Sequence, residues 1–547
     1  MASVKAGAIP VYQPDLSGNE KRYVLECLDS TWISSKGKFL GEFEERFSEY
    51  VGVKYSHAVC NGTVALHLAL VTLGIGPGDE VIVPTLTYVA AVNAIAYTGA
   101  TPVFVDSLPD TWQMDPVDVR AKITSRTKGI MVVHLYGQPC DMDALTAIAR
   151  EHGIFLVEDC AEAFGARWKG RHVGTFGDIA TFSFFGNKTI TTGEGGMVVT
   201  NDQTLAARAK HFKGQGLAAH REYWHDVIGY NYRMTNICAA IGLAQLERAE
   251  EFITRKRELA AAYREGLRGV PVEMHGEPAH LIHSHWMISI LVNDAADRDP
   301  LRGWLAERGI ETRPLFYPVH TMPMYAVRFQ RHPVAENLAW RGINLPSWPG
   351  LTDGQVGEVV SAIRAFFEDG NRRNKVASAG APITTPPIIA TVGPEHASSL
   401  GEFFERLNDF GVENFFHPHS LTVEEAASRA AYTGRDFYCV LMNGGKIVGY
   451  GMLRGWDEGY EIPSLGIVVD PPSQGHGYGR RLMNHLRAVA AERGARRIRL
   501  TVHLENAAAI ALYRSLGYAF QDGEDGKLIG FLELQNSATA PGKESAG

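Results

Sequence analysis

The chain has 547 residues, a formal net charge of −8, 45% hydrophobic residues and 21% charged residues. That length exceeds one single-core domain of about 100–200 residues, so at least two domains are expected, and the mild acidic balance leaves no electrostatic footprint for a nucleic acid. No apolar run approaches the ~20 residues of a membrane span and MASVKAGAIP lacks a signal-peptide core, so a cytoplasmic protein that avoids membranes is expected.

In chain order, Asn19 to Leu28 reads as a short amphipathic helix, followed by a loop through Trp32, Ser34 and Gly37. In NGTVALHLALVTLG, Gly62 and Thr63 stand where an apolar helix begins, and a helix N-terminus attracts phosphate. Val81-Ile82-Val83 is a strand after the turn signal Gly76-Pro77-Gly78-Asp79, leading to Tyr88, whose plain reading is packing. Strands at Pro102–Asp106 and Ile130–Leu135 alternate with helical stretches such as Asp143–His152, the βαβ rhythm of a doubly wound, mostly parallel sheet. Six cysteines (27, 60, 140, 160, 238 and 439) lack a C-x-x-C pair, which predicts reduced, mostly buried thiols.

The chemistry concentrates between Val157 and Gly196. An apolar run from Ile154 ends in Glu158-Asp159, which puts a carboxylate at the C-terminal edge of a strand, where open α/β sheets bind ligands. A second run, Ala180 to Phe185, carries Ser183 and yields to Gly186-Asn187-Lys188 and a Thr/Gly-rich loop. Lys188 and Asp159 also suit a plain structural ion pair. Their surroundings favour pyridoxal phosphate, which needs a lysine for a Schiff base, a carboxylate for the pyridine nitrogen, and hydroxyl and backbone donors for the phosphate. Lys188, Asp159 and Ser183 fill the first three needs, and Asn61-Gly62-Thr63 supplies further donors.

From about Pro10 to Phe367 the chain resembles the DegT/DnrJ/EryC1/StrS sugar aminotransferases, which are fold-type I enzymes. WISSKGKFLGEFE, CNGTVALHLAL, GDEVIVPTLTYVA, VEDCAEAFGA, FSFFGNKTITTGEGGMVVT, GYNYRMTN and FYPVH occur in order. VEDCAEAFGA, the loop around Lys188 and FYPVHTMPMY look most similar to the perosamine-forming branch, which aminates C4 of a GDP-linked 4-keto-6-deoxyhexose with L-glutamate. Some relatives are dehydratases with histidine in place of the lysine, so Lys188 implies transamination. The resemblance further implies that Tyr88 stacks on the pyridine ring, that Glu162 lies near its phenolic oxygen, and that Trp32, Ser34, Tyr317 and His320 face the substrate. It also implies that Asn231, read with Arg233 as opening a helix through Leu246, reaches the phosphate of a neighbouring subunit, making a homodimer with shared active sites.

The large domain is placed at about 10–249 and a small α+β domain at about 250–369. His280-x-x-His283-x-His285 precedes a strand at Trp286 to Val292 and has no obvious acidic or cysteine co-ligand nearby, so structure is favoured over metal. GNRRNKVASAGAPITTPP, within 370–387, reads as a linker, and residues 536–547 as a disordered tail.

In the segment 388–535, Leu400, Phe403, Phe404, Leu407 and Phe410 take helical spacing as core, and strands Tyr438–Met442 and Ile447–Leu453 flank the hairpin signal Asn443-Gly444-Gly445. A strand through Leu465–Val469 then meets Gln474-Gly475-His476-Gly477-Tyr478-Gly479-Arg480, a glycine loop that opens a helix and suits a pyrophosphate. Gln474, Gly477 and Gly479 match Q/R-x-x-G-x-G/A. With ENAAAIALYRSLGYAF they resemble the GNAT acyltransferase superfamily, an α+β fold. That resemblance implies a coenzyme A cradle at 474–480, thioester contacts at Val469, Asn506 on the pantetheine arm and Tyr513 as the acid for the departing thiolate. Tyr513 could instead be a packing aromatic. Glu461, Glu505 and His503 are all conceivable bases.

Together these expectations describe a bifunctional enzyme: amination of a nucleotide-linked 4-keto-6-deoxy sugar, then N-acetylation of the new amine by acetyl-CoA. The competing readings give the C-terminal domain an unrelated amine, or make it a CoA-sensing module.

Overall fold

The computed structural model describes residues 8–326, 330–368, 388–409, 419–443, 446–474, 477–504, 506–524 and 526–534. The expected linker and tail lie outside the described residues, as do Phe410, Gly444, Gly445, Gly475, His476 and Glu505. The described residues separate into two compact units, one holding 8–326 with 331–368 and the other holding 388–534.

In the first unit β1 (Tyr55–Val59), β2 (Glu80–Pro84), β3 (Thr101–Val105), β4 (Thr127–Val133), β5 (Phe155–Asp159), β6 (Ile179–Ser183) and β7 (Gly196–Thr200) form one sheet. Their order is β1-β7-β6-β5-β4-β2-β3. β7 runs antiparallel to both neighbours, and the remaining pairs are parallel. Because side chains alternate along each strand, Val81 and Val83 join one core while Ile82 joins another, so helices cover both faces. The helix Lys38–Val51 buries Phe39, Phe43 and Phe47 against Phe182 and Phe184 on one face. The helix Gly62–Leu73 packs on the other. Asn61 caps it by accepting the Val64 N–H at 3.0 Å, and Gly74, with φ of 79°, ends it where an L side chain would be strained.

This unit also holds a four-stranded antiparallel sheet of β8 (Val272–Met274), β9 (Ile288–Val292), β10 (Arg313–Pro314) and β11 (Gly342–Leu345), ordered β8-β9-β11-β10. One expectation is corrected: Asn231 and Arg233 do not open a helix. Both lie in an irregular segment that bridges to Gly214 and Val59. The helix starts at Asn236, because Thr235 caps it by accepting the Cys238 N–H at 3.3 Å. The expected strand at Trp286 begins at Ile288. All six cysteines are free thiols, four of them buried.

The second unit is a seven-stranded sheet of β12 (Ile388–Thr391), β13 (Phe437–Asn443), β14 (Lys446–Arg454), β15 (Ser464–Val469), β16 (Arg497–His503), β17 (Ala519–Asp522) and β18 (Lys527–Glu533). The order is β12-β13-β14-β15-β16-β18-β17. β15 and β16 are parallel and pair only at Ser464 and Arg499, after which they splay apart. Leu400, Phe403, Phe404 and Leu407 pack on one face, and the helix Tyr478–Glu492 lays Leu482, Met483 and Leu486 on the other. Gly449 and Gly451 permit that approach, since a Cβ at either would stand 3.0 Å from Leu482 or Leu486. Among the described residues no helix is long and apolar enough to cross a membrane.

Candidate active sites

At the end of β5, alternation sends Glu158 and Asp159 to opposite faces of the sheet. Glu158 accepts N–H groups from Gly174, Phe176 and Gly177, each at 2.7 Å, and the His134 ring at 3.2 Å. His134 Nδ1 accepts the Cys140 N–H at 3.1 Å, so its Nε2 carries the proton given to Glu158. Burial works to raise the Glu158 carboxyl, yet these bonds hold it below its ordinary value. Glu158 is thereby an anchor that fixes the register of the next residue.

Asp159 turns to the face covered by the helix Gly62–Leu73. Burial raises its carboxyl, against the Ala161 N–H at 3.0 Å and the charge of Lys188. Lys188 follows β6, the strand parallel to β5, so both groups stand beyond the C-terminal edges of adjacent strands. The Lys188 amine lies 3.9 Å from Glu162 and 3.7 Å from the centre of the Trp286 ring. Burial lowers its pKa, with Glu162 and Asp159 opposing. Burial likewise pushes Glu162 up to about 7, while the lysine and the Tyr136 N–H, at 2.8 Å, pull it down. Two bonds pin the lysine loop: Tyr12 donates its hydroxyl to the Lys188 carbonyl at 2.5 Å, and Trp286 donates its indole N–H to Asn187 at 2.6 Å.

The N-terminus of the helix Gly62–Leu73 meets β6 closely. A Cβ on Gly62 would lie 2.8 Å from the Cβ of Ser183 and 2.9 Å from its hydroxyl. The first amides of that helix, at Gly62 and Thr63, lack intrahelical acceptors, and Gly62 lies against the serine. Tyr88 caps the next helix and is 57% exposed, its ring 5.5 Å from Phe316. His320 is buried, with Nδ1 2.6 Å from the Thr85 hydroxyl and Nε2 3.2 Å from Glu336, so both ring nitrogens are engaged within the chain. Tyr317 is partly exposed beside Trp340. Trp32 and Ser34 are exposed, and their carbonyls accept the side chain and backbone N–H of Asn236 at 2.7 and 2.6 Å. Asn231 is exposed and accepts the Arg233 guanidinium at 3.1 Å.

In the histidine run, His283 and His285 stack at 3.8 Å, and a carboxylate does lie close, Glu277, 3.5 Å from His285 Nε2. Its sequence distance from the run is small but its approach is set by folding. Arg257 and Arg264 share it at 3.3 and 3.5 Å.

In the second unit, the gap between β15 and β16 opens into a cavity of about 1030 Å³. Leu465, Gly466 and Ile467 line one side and Thr501, Val502 and His503 the other, with Asn506 and Tyr513 at the helix Ala507–Ser515. Asn506 caps that helix by accepting the Ala509 N–H at 2.9 Å. Burial pushes the Tyr513 hydroxyl up to about 12. Beyond the end of β15, Gln474 donates to the Val469 carbonyl at 3.2 Å, and Gly477, with φ of 75°, leads into the helix Tyr478–Glu492. Tyr478 accepts from Asn443 at 3.0 Å, Arg480 donates to Ser515 at 2.8 Å, and Gly479 faces Leu512.

The sequence profile of the DegT/DnrJ/EryC1/StrS aminotransferase family matches residues 14–364. The chain belongs to that family. The GDP-perosamine synthase of Escherichia coli O157:H7 is 64% identical over 361 residues, covering 66% of this chain and 99% of that protein. The GDP-perosamine synthase of Vibrio cholerae is 51% identical with the same coverage. Among solved structures, the aminotransferase TlmJ from Streptoalloteichus hindustanus has a TM-score of 0.64 at 35% identity, covering 66% of this chain and 99% of its own. Residues 402–518 match the acetyltransferase (GNAT) family.

Aminotransferases of the DegT family use pyridoxal phosphate, and the donor set suits it. A buried carboxylate and a largely shielded amine stand at adjacent strand ends, and a glycine lets a helix N-terminus close on a serine hydroxyl. Trp286, Tyr136 and Tyr12 escaped the sequence reading. Trp286 and Tyr12 reach Lys188 from 98 and 176 positions away and Tyr136 reaches Glu162 beside it, and no local pattern signals such approaches.

Proposed function

We propose that the first unit transfers an amino group from L-glutamate to C4 of a nucleotide-linked 4-keto-6-deoxyhexose, and that the second N-acetylates the product with acetyl-CoA. The observation that carries the first half is the largely shielded Lys188 amine, its side chain 13% exposed, beside Asp159 and Glu162 at the C-terminal edges of parallel strands. Asp159 would hold the pyridine nitrogen, Tyr88 would cover the ring, and Gly62, Thr63 and Ser183 would bind the phosphate. When bound there, pyridoxal phosphate supplies the electron sink for the carbon that gains or loses nitrogen. Lys188, with a pKa lowered by burial, then takes and returns the proton at that carbon. Glu162 sits beside it as a second proton holder near neutrality.

Asn231, exposed in one chain, suits the role of completing the phosphate site of a second copy in a homodimer. Trp32, Ser34 and Tyr317 are exposed enough to meet a sugar nucleotide, whereas His320, held by Thr85 and Glu336, suits orienting the wall behind it.

In the second unit Gln474, Gly477, Tyr478, Gly479 and Arg480 would take the coenzyme A diphosphate, and the splayed β15 edge with Asn506 the pantetheine arm. Tyr513 stays protonated throughout the working pH range and so remains a donor toward the departing sulfur. The test is mass spectrometry of products from GDP-, UDP- and dTDP-linked 4-keto sugars with glutamate, with and without acetyl-CoA. The expected result is a mass change for amination, followed by an acetyl increment. No amination of any member would defeat the first half.

A further inference from the structure

Apart from Arg454 at the end of β14, which has Asp436 at 4.0 Å, the charges around the second unit's cavity are sorted by wall. On the β16 and β18 side stand Arg499 and Lys527, and among the described residues neither pairs with a carboxylate. The contrast along the same strand is direct. Arg497, two residues earlier and outside the cavity, pairs with Glu533 at 2.7 Å and lies 4.1 Å over the Phe531 ring. On the opposite side, the connection between β14 and β15 brings Glu458 and Glu461, which likewise have no cationic partner among the described residues. Two cations on one wall and two carboxylates on another form a dipolar site. Unpaired like charges brought together at a cavity mouth repel one another until a ligand of opposite sign arrives.

Resting on the acyl-transfer reading, we infer that the acceptor is an amine still joined to its nucleoside diphosphate. Arg499 and Lys527 bind the diphosphate, and Glu458 and Glu461 receive the ammonium end. A hexose with an amine at C4 and a diphosphate at C1 carries its two charges on opposite sides of one ring, which matches the sorting of the walls. The gap between β15 and β16 lets the thioester reach the amine, since Leu465 and Ile467 line the same cavity as the glutamates. The ammonium gives one proton to a carboxylate of that loop and on to solvent. The neutral nitrogen then attacks the thioester carbon, the C–N bond forms as the C–S bond breaks, Tyr513 gives its proton to the departing sulfur to make the free thiol, and the second proton leaves nitrogen through solvent to restore the Tyr513 hydroxyl. The amine is therefore acylated before any glycosyl transfer removes the nucleotide.

The experiment measures thiol release by the full chain with three acceptors: the nucleotide-linked 4-amino sugar, the same sugar without nucleotide, and an unrelated peptide amine. The expected outcome is a kcat/KM at least about tenfold higher for the nucleotide-linked acceptor, falling as salt is raised. Arg499→Ala with Lys527→Ala should raise the KM for that acceptor about tenfold or more, leave the KM for acetyl-CoA unchanged, and abolish the preference over the free sugar. Equal use of free and nucleotide-linked sugars, or a double variant that weakens acetyl-CoA instead, overturns the inference while the acyl-transfer reading stands. Acetylation of the peptide amine alone overturns that reading. The salt dependence of the parent chain gives an independent check should the double variant fail to fold.

Discussion

In the first unit the amine of Lys188 is walled in by Trp286, Glu162 and Asp159, whereas in the second the charged groups of the cavity face open space. Both sites lie at the ends of parallel strands, but burial does different work in each. Around Lys188, desolvation is the largest influence on all three ionisable groups, so their proton affinities are set by the fold before any ligand arrives. Among the residues lining the second cavity, burial raises the Tyr513 hydroxyl in this way, whereas Arg499, Glu458 and Glu461 remain exposed. Proton chemistry at carbon needs tuned groups. Acyl transfer from a thioester already activated needs chiefly orientation and one donor.

The largest separation of the two sites should come from Lys188→Ala. Transamination should fall at least about 10³-fold and the visible absorbance of bound pyridoxal phosphate should vanish, while thiol release with a supplied amino sugar is kept. Tyr513→Phe should do the reverse. Thiol release should drop on the order of 10²-fold with amination intact, and unchanged thiol release would favour a packing role for that ring.

Gly62→Ala tests the cradle. The added methyl must displace Ser183, an overpacking cost of about 1–3 kcal/mol, so cofactor affinity measured by equilibrium dialysis should weaken by roughly tenfold or more. The smallest effect concerns Glu162. A carboxyl raised to about 7 favours the folded state while protonated, and that advantage fades as pH climbs from its ordinary value through about 7. Across that window the melting temperature of the cofactor-free parent should fall by a few °C relative to Glu162→Gln, roughly the effect of 1–2 kcal/mol. Parallel melting curves for the two would remove Glu162 from the tuned set.

Asp159, Ser183 and Lys188 were legible because each lies in a short run where an apolar strand gives way to a polar or glycine-rich loop, so type and placement coincide within a few residues. The helix after GYNYRMTN was misplaced because apolar spacing extends back past its true start, and only the Thr235 hydroxyl decides where the backbone turns. Trp286 over Lys188, and the Thr85–His320–Glu336 chain, depend on elements far apart in sequence that meet only after folding. The sorting of charge around the second cavity was hidden for a related reason. It follows from the single residue pair after which β15 and β16 part.

That parting leaves a slot in the middle of a sheet, where facing main-chain amides and carbonyls have lost the neighbouring strand that would ordinarily occupy them. An extended, amide-bearing molecule laid in the slot would restore the missing ladder and become a temporary piece of the architecture. Occupancy should then stiffen the whole unit, with slower deuterium uptake along residues 465–469 and a stability that grows with the logarithm of ligand concentration.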